Sequence, residues 1–370
     1  MKPEGILRVI VLSPPLENSG GVGTLFKYAI PNFSACVNVS FIDTRGSRDN
    51  PLFSIINVID ATVRLSVARV FGRVDVIHLN LGARGSTLRK LILLLYSHFI
   101  LRLPNVVQLH SSSFDIFFDN SSKYVKKIIV KTLCNADQIL VLGMKWKEYL
   151  ISIGLPYDKV REFQMGVPDL ADKEFTGSET HRELFLPFPT LLYAGAMGER
   201  KGLPNLLRAI AQIKQFSPHL NVAGSGDLLF WKDEAKNLNV EDLVEFHGLL
   251  PPKSVLSLLI NSDILILPSN AEGLPVSVLE ALSAAKLVLC TKVGSLAQFL
   301  SNNLNCYFLE TPAVGSIVEQ LNVILKNQRR DELKNIMQEA RLVWKEHFNV
   351  EITTNILENI WNQCAGRKMG

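Results

Sequence analysis

Residues 262–281 read SDILILPSNAEGLPVSVLEA, and this stretch decides the fold. Asp263–Leu267 is a short apolar run of the kind that forms a strand buried on both faces of a parallel sheet. Pro275 suits the first turn of a helix, and a predominantly apolar segment follows it. The stretch therefore predicts a strand, a loop and a helix, which is one repeating unit of a doubly wound α/β domain.

The same alternation of apolar runs and longer amphipathic segments extends along the whole chain. Strands are predicted over Ile6–Leu12, Val37–Phe41, Val74–Asn80, Asn105–His110, Gln138–Leu142, Thr190–Ala194, Leu220–Ala223, Val244–His247, Asp263–Leu267 and Leu287–Cys290. Helices between them predict two Rossmann-like parallel sheets whose carboxyl ends face an interdomain cleft. We expect a first domain over 1–168, a polar linker over 169–188, a second domain over 189–345 and a final helix, 346–370, that returns to the first domain.

Length and composition exclude several classes of protein. The chain has 370 residues, of which 47% are hydrophobic and 20% charged, so it is neither disordered nor a coiled coil. Its five cysteines form no CxxC pair, and it has no Asp-x-Asp cluster or close pair of histidines, so we expect no disulfide framework and no metal. Because no signal peptide or membrane-length apolar run is visible, we expect a cytoplasmic location, either free or peripheral on the inner face of the plasma membrane.

Positive charge is concentrated in the first half. Residues 1–168 hold 20 Lys and Arg against 12 Asp and Glu, whereas the rest holds 19 against 23. The segment Arg84–Lys90 could meet a phosphate group, or it could be a solvated helix start.

A predicted helix carries Lys123, Lys126, Lys127 and Lys131, with Val125, Ile128, Ile129 and Leu133 expected opposite. It is either an ordinary helix packed on its sheet or a patch that meets an anionic membrane.

Two acidic residues flank the predicted helix start. Glu272 lies just before it and Glu280 lies inside it, at most roughly 12 Å apart along the backbone. Carboxylates accept hydrogen bonds from vicinal hydroxyls, and the amides of Gly273 and Leu274 at a helix start favour an anion between them. A single Glu in such a place could equally be a cap or a solvated helix residue. The pair predicts a ligand with hydroxyl groups at both ends and a diphosphate in its middle.

Further motifs, together with this pair of acidic residues, resemble those of a known family. The chain resembles the retaining glycosyltransferases of family 4, which have the GT-B fold. The resemblance is specific over 222–281 and loose before residue 100. It is carried by Glu272-x7-Glu280, Val222–Asp227, Phe246–Gly248 and Ser262–Ser269, and by the looser Gly20–Gly23 and Leu109–Phe114.

That resemblance implies transfer of a sugar from a nucleotide sugar to a glycan or lipid-linked acceptor, with the anomeric configuration retained. Glu280 would hold the ribose, Glu272 the donor sugar and Lys201 the diphosphate, while His110 would lie beside the reacting sugar. Besides Glu280 and Lys201, the residues expected to bind the donor are Gly21, Gly23, Arg200, Leu250, Gly273, Leu274, Pro275 and Val276. No cofactor and no metal are expected, because cations and N–H dipoles can meet the growing charge on the diphosphate.

One departure keeps a second function open. The family places an Arg after the glycine that corresponds to Gly195, and this chain has Ala196, for which Arg200 could substitute. The alternative is therefore a binding protein of the same fold with weakened catalysis. An oxidoreductase is disfavoured because Ser13-Pro14-Pro15, and no GxGxxG, follows the first strand. Nucleic acid is not expected as a partner, because the basic residues are not interleaved with aromatic ones.

Overall fold

The computed structural model describes residues 5–15, 20–44, 51–83, 85–111, 113–171, 184–185, 188–326 and 330–366, with side chains from residue 55 onward in the helix that begins at Pro51. This part of the chain divides between two compact units. Unit 1 comprises Met1–Gly166 and Val350–Gly370, and unit 2 comprises Val167–Asn349.

Each unit is built on a parallel six-stranded sheet. The strands of the first are β1 (Leu7–Ser13), β2 (Val37–Asp43), β3 (Val76–Leu81), β4 (Asn105–Leu109), β5 (Gln138–Val141) and β6 (Val160–Glu162). Those of the second are β7 (Thr190–Ala194), β8 (His219–Ala223), β9 (Val244–Gly248), β10 (Ile264–Leu267), β11 (Leu287–Thr291) and β12 (Tyr307–Leu309). Their orders are β2-β1-β3-β4-β5-β6 and β12-β11-β10-β7-β8-β9, so both sheets are doubly wound.

Helices cover the sheets. In unit 1 they are α1 (Gly20–Ala29), α2 (Pro51–Val70), α3 (Gly85–Leu95), α4 (Phe114–Asp119), α5 (Lys123–Leu133) and α6 (Met144–Ser152). In unit 2 they are α7 (Leu203–Gln212), α8 (Leu228–Asn237), α9 (Pro252–Ile260), α10 (Val276–Ser283), α11 (Val314–Lys326) and α12 (Arg330–Val343). The last helix, α13 (Val350–Cys364), belongs to unit 1. In the described part of the chain, no helix is long and apolar enough to cross a membrane.

The ten strands predicted from apolar runs are all present, with ends that differ by no more than two residues. Central strands such as β3 and β10 are buried along their whole length, which explains their continuous apolar sequence. The edge strands β6 and β12 have three residues each and were not predicted. A run of three residues carries too little periodicity to distinguish a strand from a loop.

Helix α13 packs into unit 1 through polar and aromatic contacts. Glu358 accepts hydrogen bonds from the amide and the hydroxyl of Ser34, at 2.6 and 2.8 Å. The fully buried Trp361 donates its indole N–H to His78 Nδ1 at 3.2 Å. Through these contacts the end of the chain completes the core of the first unit.

The start of the predicted linker is anchored in unit 2. Asp169 forms an ion pair with Arg341 at 2.6 Å, and the Leu170 amide donates to Ser283 Oγ at 2.9 Å. Leu170 itself is buried. Residues 172–183 and 186–187 of that segment lie outside the described residues.

Two glycines bring the loops of the second sheet into backbone contact. Gly202 has φ +76°, and a Cβ there would lie 1.9 Å from the Pro268 carbonyl oxygen. Gly224 has φ +153°, and its Cβ would lie 1.8 Å from the Gly195 carbonyl oxygen. Any side chain would separate these loops and strain the backbone, so glycine is required at both positions. The loops that follow β7, β8 and β10 are thereby fixed against one another.

We predict that Gly224→Ala lowers the free energy of unfolding of unit 2 by about 3 kcal/mol, because it adds both a clash and an unfavourable φ. Hydrogen exchange at increasing urea concentration, followed in peptides from unit 2, would measure the loss. The matched control is Gly315→Ala, where no atom lies within 4 Å of the new Cβ. Equal stability of the two variants would contradict the proposed close packing.

Candidate active site

The best-defined cluster in unit 2 lies at the carboxyl ends of β7 and β10. Lys201 Nζ forms an ion pair with Glu272 Oε1, with both side chains largely buried. Ser269 Oγ donates to the same carboxylate oxygen at 2.7 Å. The stem of Lys201 lies across Gly195, where an added Cβ would be 3.6 Å from the lysine carbons. Both described bonds go to Oε1, which leaves Oε2 of Glu272 as an acceptor for a ligand hydroxyl.

Sheet topology explains why these residues meet. Strand β7 lies between β8 and β10, so the loop that carries Lys201 is the direct neighbour of the loop that carries Glu272. Leu250 follows β9, which lies three strand positions from β10. At roughly 4.8 Å per strand that separation is about 14 Å. The edge is therefore long enough for an extended ligand to touch both loops.

Backbone contacts support the Lys201 loop further. The Arg200 guanidinium donates to the Ala271 carbonyl at 3.2 Å, and the Asn270 amide donates to the Arg200 carbonyl at 2.8 Å. The exposed Arg200 thus lies beside Glu272 in space as well as beside Lys201 in sequence. Arg200 must lie in this place if it is to take over the role of the arginine that the family has at the position of Ala196.

The Tyr193 hydroxyl fixes the neighbouring turn. It donates to the Ala196 carbonyl at 2.7 Å and is fully buried. Burial, reinforced by the negative charge of Glu272, raises the pKa of Tyr193 well above its ordinary value. The hydroxyl therefore stays protonated and keeps donating over the whole working pH range.

Helix α10 begins one residue after Pro275, which is its N-cap. Gly273, Leu274 and Val276 are only partly buried, and no acceptor for their amides is found among the described residues. A fixed turn precedes the helix, because the Ser295 amide donates to the Gly273 carbonyl at 2.9 Å. These amides form a positive helix end beside Glu272, as the sequence predicted.

Glu280 is buried on the second turn of α10. It lies four residues beyond the helix start, about 6 Å along the axis. Sequence spacing places it at this distance from the Glu272 loop, and its carboxylate is not without a partner. The two acidic residues therefore lie on one continuous loop and helix.

His110 lies at the carboxyl end of β4 in unit 1. Its Nε2 donates to Asn80 Oδ1 at 3.0 Å, which leaves Nδ1 as an acceptor. Burial, and then the nearby His78, lowers the pKa of His110 to about 3. The ring is therefore neutral at physiological pH, and its Nδ1 can accept a hydrogen bond from a ligand hydroxyl.

A cavity of about 230 Å³ opens in front of His110. Its lining residues are Pro14, Val22, Asn80, Leu81, Gly82, Ser86, His110 and Ser111. Asn80 is 5% exposed, and its amide nitrogen has no partner among the described residues. A buried donor without a partner is costly, and a ligand oxygen would satisfy it. The sequence placed Asn80 only at the end of a predicted strand. Its contact with His110 could not be predicted, because that contact depends on the register between β3 and β4.

Beneath the cavity lies a second buried histidine. His78 accepts from Trp361, and its Nε2 donates to Gln108 Oε1 at 3.1 Å. Burial is the main cause that lowers the pKa of His78 to about 4. This neutral ring connects α13 to the strand that carries Asn80.

One sequence interpretation in unit 1 needs correction. Lys90 does not face an external phosphate: it is 2% exposed and donates to the carbonyl of Leu12 and the hydroxyl of Thr44. Burial lowers its pKa to about 7. Gly21 and Gly23 lie in the first turn of α1, which begins at Gly20, so their expected role in donor binding stays a prediction. Arg84 and Ser112 lie outside the described residues.

Comparison with known proteins finds similarity in the second unit and in the fold. Residues 179–343 match the family described as glycosyl transferases group 1. The matched region contains Lys201, Ser269, Glu272 and Glu280, so the cluster described above lies within it.

Curated relatives of the chain include proteins of glycan biosynthesis. The chain is 26% identical over 204 residues to the putative teichuronic acid biosynthesis glycosyltransferase TuaC of Bacillus subtilis, covering 55% of this chain and 50% of that protein. It is 23% identical over 252 residues to the amylovoran biosynthesis glycosyltransferase AmsK of Erwinia amylovora, covering 65% and 60%. The chain thus spans about half of the length of the curated relatives it matches.

Solved structures resemble the whole chain. HepE from Anabaena, in complex with UDP-glucose, matches with a TM-score of 0.72 and 15% identity, over 96% of this chain and all of that one. Sucrose-phosphate synthase from Thermosynechococcus elongatus matches with a TM-score of 0.75 and 16% identity, over 96% and 98%. At such identities the likeness shows the fold alone. It confirms the predicted GT-B fold with two Rossmann-like domains.

We predict that acid weakens unit 1 through His78. Its folded pKa of about 4 lies below the unfolded value of 6.5, so its contribution to stability is complete above pH 6.5 and is lost as the pH falls to about 4. The full loss amounts to roughly 3 kcal/mol. Urea unfolding between pH 7 and 4 should therefore show a shallower pH dependence for His78→Gln than for the unchanged protein. Parallel curves would contradict this assignment.

Proposed function

We propose that this protein is a retaining glycosyltransferase of family 4, of the hexosyltransferase type. It transfers a sugar from a nucleotide sugar to a glycan or lipid-linked acceptor, as a step in making a cell-surface polysaccharide or lipopolysaccharide. The observation that carries the proposal is the Lys201–Glu272–Ser269 cluster at the carboxyl ends of β7 and β10, inside the region that matches the glycosyl transferases group 1 family. Relatives named for teichuronic acid and amylovoran biosynthesis support the acceptor class.

The nucleotide sugar is bound along the carboxyl edge of the second sheet. The base lies near Leu250, the ribose hydroxyls bond to Glu280, and the diphosphate lies against Lys201 and the amides at the start of α10. Glu272 holds hydroxyls of the donor sugar through its second carboxylate oxygen. Structural neighbours are complexes with UDP and UDP-glucose, which supports a nucleotide sugar as the ligand.

The chemistry proceeds by breaking the bond between the anomeric carbon and the diphosphate oxygen. Negative charge grows on the diphosphate, and Lys201, Arg200 and the helix amides stabilise it without a metal. The departing phosphate oxygen takes the proton of the acceptor hydroxyl, and that hydroxyl forms the new glycosidic bond on the same face. The products are a glycoside, a nucleoside diphosphate and one proton. His110, which is neutral, contributes by hydrogen bonding to the reacting sugar and not by carrying the proton.

The decisive experiment combines donor screening with product analysis. Thermal shifts with UDP-, GDP- and ADP-sugars select the donor, and transfer of labelled sugar to bacterial lipid-linked acceptors then tests the activity. We expect the anomeric configuration in the product, read by NMR, to match that of the donor, and EDTA to leave the rate unchanged. Donor binding without either transfer or hydrolysis would favour the alternative, a weakened binding protein, for which Ala196 is the reason.

We predict that Lys201→Met lowers kcat by roughly 100-fold or more, because it removes the positive charge that meets the diphosphate in the transition state. Glu280→Gln should instead mainly raise the donor KM, since ribose binding is common to the ground state and the transition state. Steady-state kinetics on the selected donor measure both. Lys232→Met, which changes an exposed lysine of α8, is the matched control. Unchanged turnover in Lys201→Met would disprove the phosphate role.

We predict that His110→Ala reduces the rate of transfer more than it reduces donor affinity. The reason is that His110 bonds to the reacting sugar, whereas most donor contacts lie in unit 2. Isothermal titration with the donor and single-turnover transfer separate the two effects. His110→Asn keeps a neutral hydrogen-bonding group and should recover part of the rate. If affinity fell and the single-turnover rate did not, His110 would be a donor-binding residue only.

A further inference from the structure

Helix α2 exposes a row of large apolar side chains that the proposed activity does not use. The row consists of Ile55, Ile59, Val63 and Val67 and continues into Phe71, directly after the end of the helix, with exposures between 45% and 66%. Residues four apart in sequence lie on one face of a helix, so the row is a continuous stripe about four turns long. The opposite face, with Ala61 and Leu65, is fully buried against the unit.

Neighbouring helices extend this stripe. Helix α3 packs between α2 and α5, and it exposes Leu88 and Ile92, again four residues apart. Helix α5 exposes Tyr124 and Ile128. The sequence had placed Ile128 on the buried side of α5, and the structure shows it outside. The apolar row of α2 together with these four residues is termed the docking face. Contiguous apolar surface of this extent on a folded protein marks an interaction site.

Charge decides what the docking face binds. Segments 51–73, 85–102 and 123–133, which form it, contain ten Lys and Arg residues, of which Lys90 is buried, and a single acid, Asp60. Asp60 is already paired with Arg64 at 2.9 Å. On α5, Lys123, Lys127 and Lys131 are exposed beside Tyr124 and Ile128. Lys126 is turned toward unit 1, where it donates to the Asp119 carbonyl at 2.8 Å.

We propose that the docking face binds the surface of an anionic lipid bilayer. Apolar side chains of α2 and α3 enter the boundary between headgroups and acyl chains, Tyr124 lies at the headgroup level, and the lysines of α5 pair with lipid phosphates. A second copy of the chain fits the same face less well. A twofold contact would place the same basic residues opposite one another, with one acid per copy to offset them.

The test is flotation of the full chain with vesicles, in the absence of any substrate. Vesicles contain phosphatidylcholine alone, or three parts phosphatidylcholine to one part phosphatidylglycerol. We expect flotation with the anionic vesicles at low ionic strength and much less with the neutral ones. Because no substrate takes part, the outcome is independent of whether the proposed transferase activity is correct.

Two pairs of substitutions separate the apolar and electrostatic contributions. Ile59→Asn with Val63→Asn should lower the partition coefficient by about tenfold or more at any ionic strength. Lys127→Gln with Lys131→Gln should lower it roughly 30-fold at low ionic strength and little at high. The matched apolar control is Ile352→Asn with Ile356→Asn, two exposed residues four apart on α13 of the same unit. The charge control is Lys232→Gln with Lys236→Gln on α8.

Several results would overturn the proposal. One is absence of flotation with anionic vesicles, and another is equal loss in the test and control pairs. A third is light scattering that shows a dimer which Ile59→Asn with Val63→Asn converts to a monomer, since the docking face would then bind a second copy. All substituted residues are exposed, so thermal unfolding should match that of the unchanged protein and exclude misfolding as the cause.

Discussion

The site in unit 2 depends on one ion pair, Lys201 with Glu272. Two charged groups this far from solvent are costly unless they are paired and hydrogen-bonded, and Ser269 supplies the additional donor. The pair connects the loops after β7 and β10, so neither loop can move without separating opposite charges. Gly202 lets the loops after β7 and β10 approach at Pro268, and Gly224 lets the loop after β8 approach Gly195, because a side chain at either position would push its two loops apart. The ion pair carries no net charge, so the amides at the start of α10 are the donors that stand ready before any ligand binds.

The polar cluster in unit 1 differs from the site in unit 2, because its side chains are neutral. His78, Asn80 and His110 lie near the carboxyl ends of β3 and β4, and burial keeps both rings uncharged. A neutral histidine beside a sugar can bond to hydroxyls without attracting the diphosphate. Two sites of different electrostatic character are what a transfer reaction needs when one substrate is a polyanion and the other reacts through a hydroxyl group. The buried amide nitrogen of Asn80 shows that the neutral site also retains an unused donor.

How much of this could be predicted depends on what the sequence encodes locally. Long apolar runs such as β3 and β10 identify buried parallel strands, and the polar residues after them mark the carboxyl edge, so the places of His110, Lys201 and Glu272 at that edge could be predicted without a structure. Their roles are implied by the family resemblance and stay predictions. Contacts between residues that are far apart in sequence could not be predicted in this way. The partners of Lys90, Leu12 and Thr44, lie 78 and 46 residues away, so nothing near Lys90 in sequence distinguishes a buried lysine from a phosphate ligand. The Ala196 position shows the same limit, since only the structure brings Arg200 beside Ala271.

The apolar row of α2 escaped sequence reasoning for a different physical reason, although the lysines of α5 were already an alternative membrane patch. An amphipathic helix is recognised by the contrast between its two faces, and α2 has almost none, because apolar residues occupy both the buried side and the exposed side. Such a sequence is typical of a helix that is buried on all sides. The structure places one face in water instead, where isoleucine and valine gain nothing by exposure. Such a row is favoured when a partner covers it, and the exposed lysines of α5 in the same docking face favour an anionic surface as that partner.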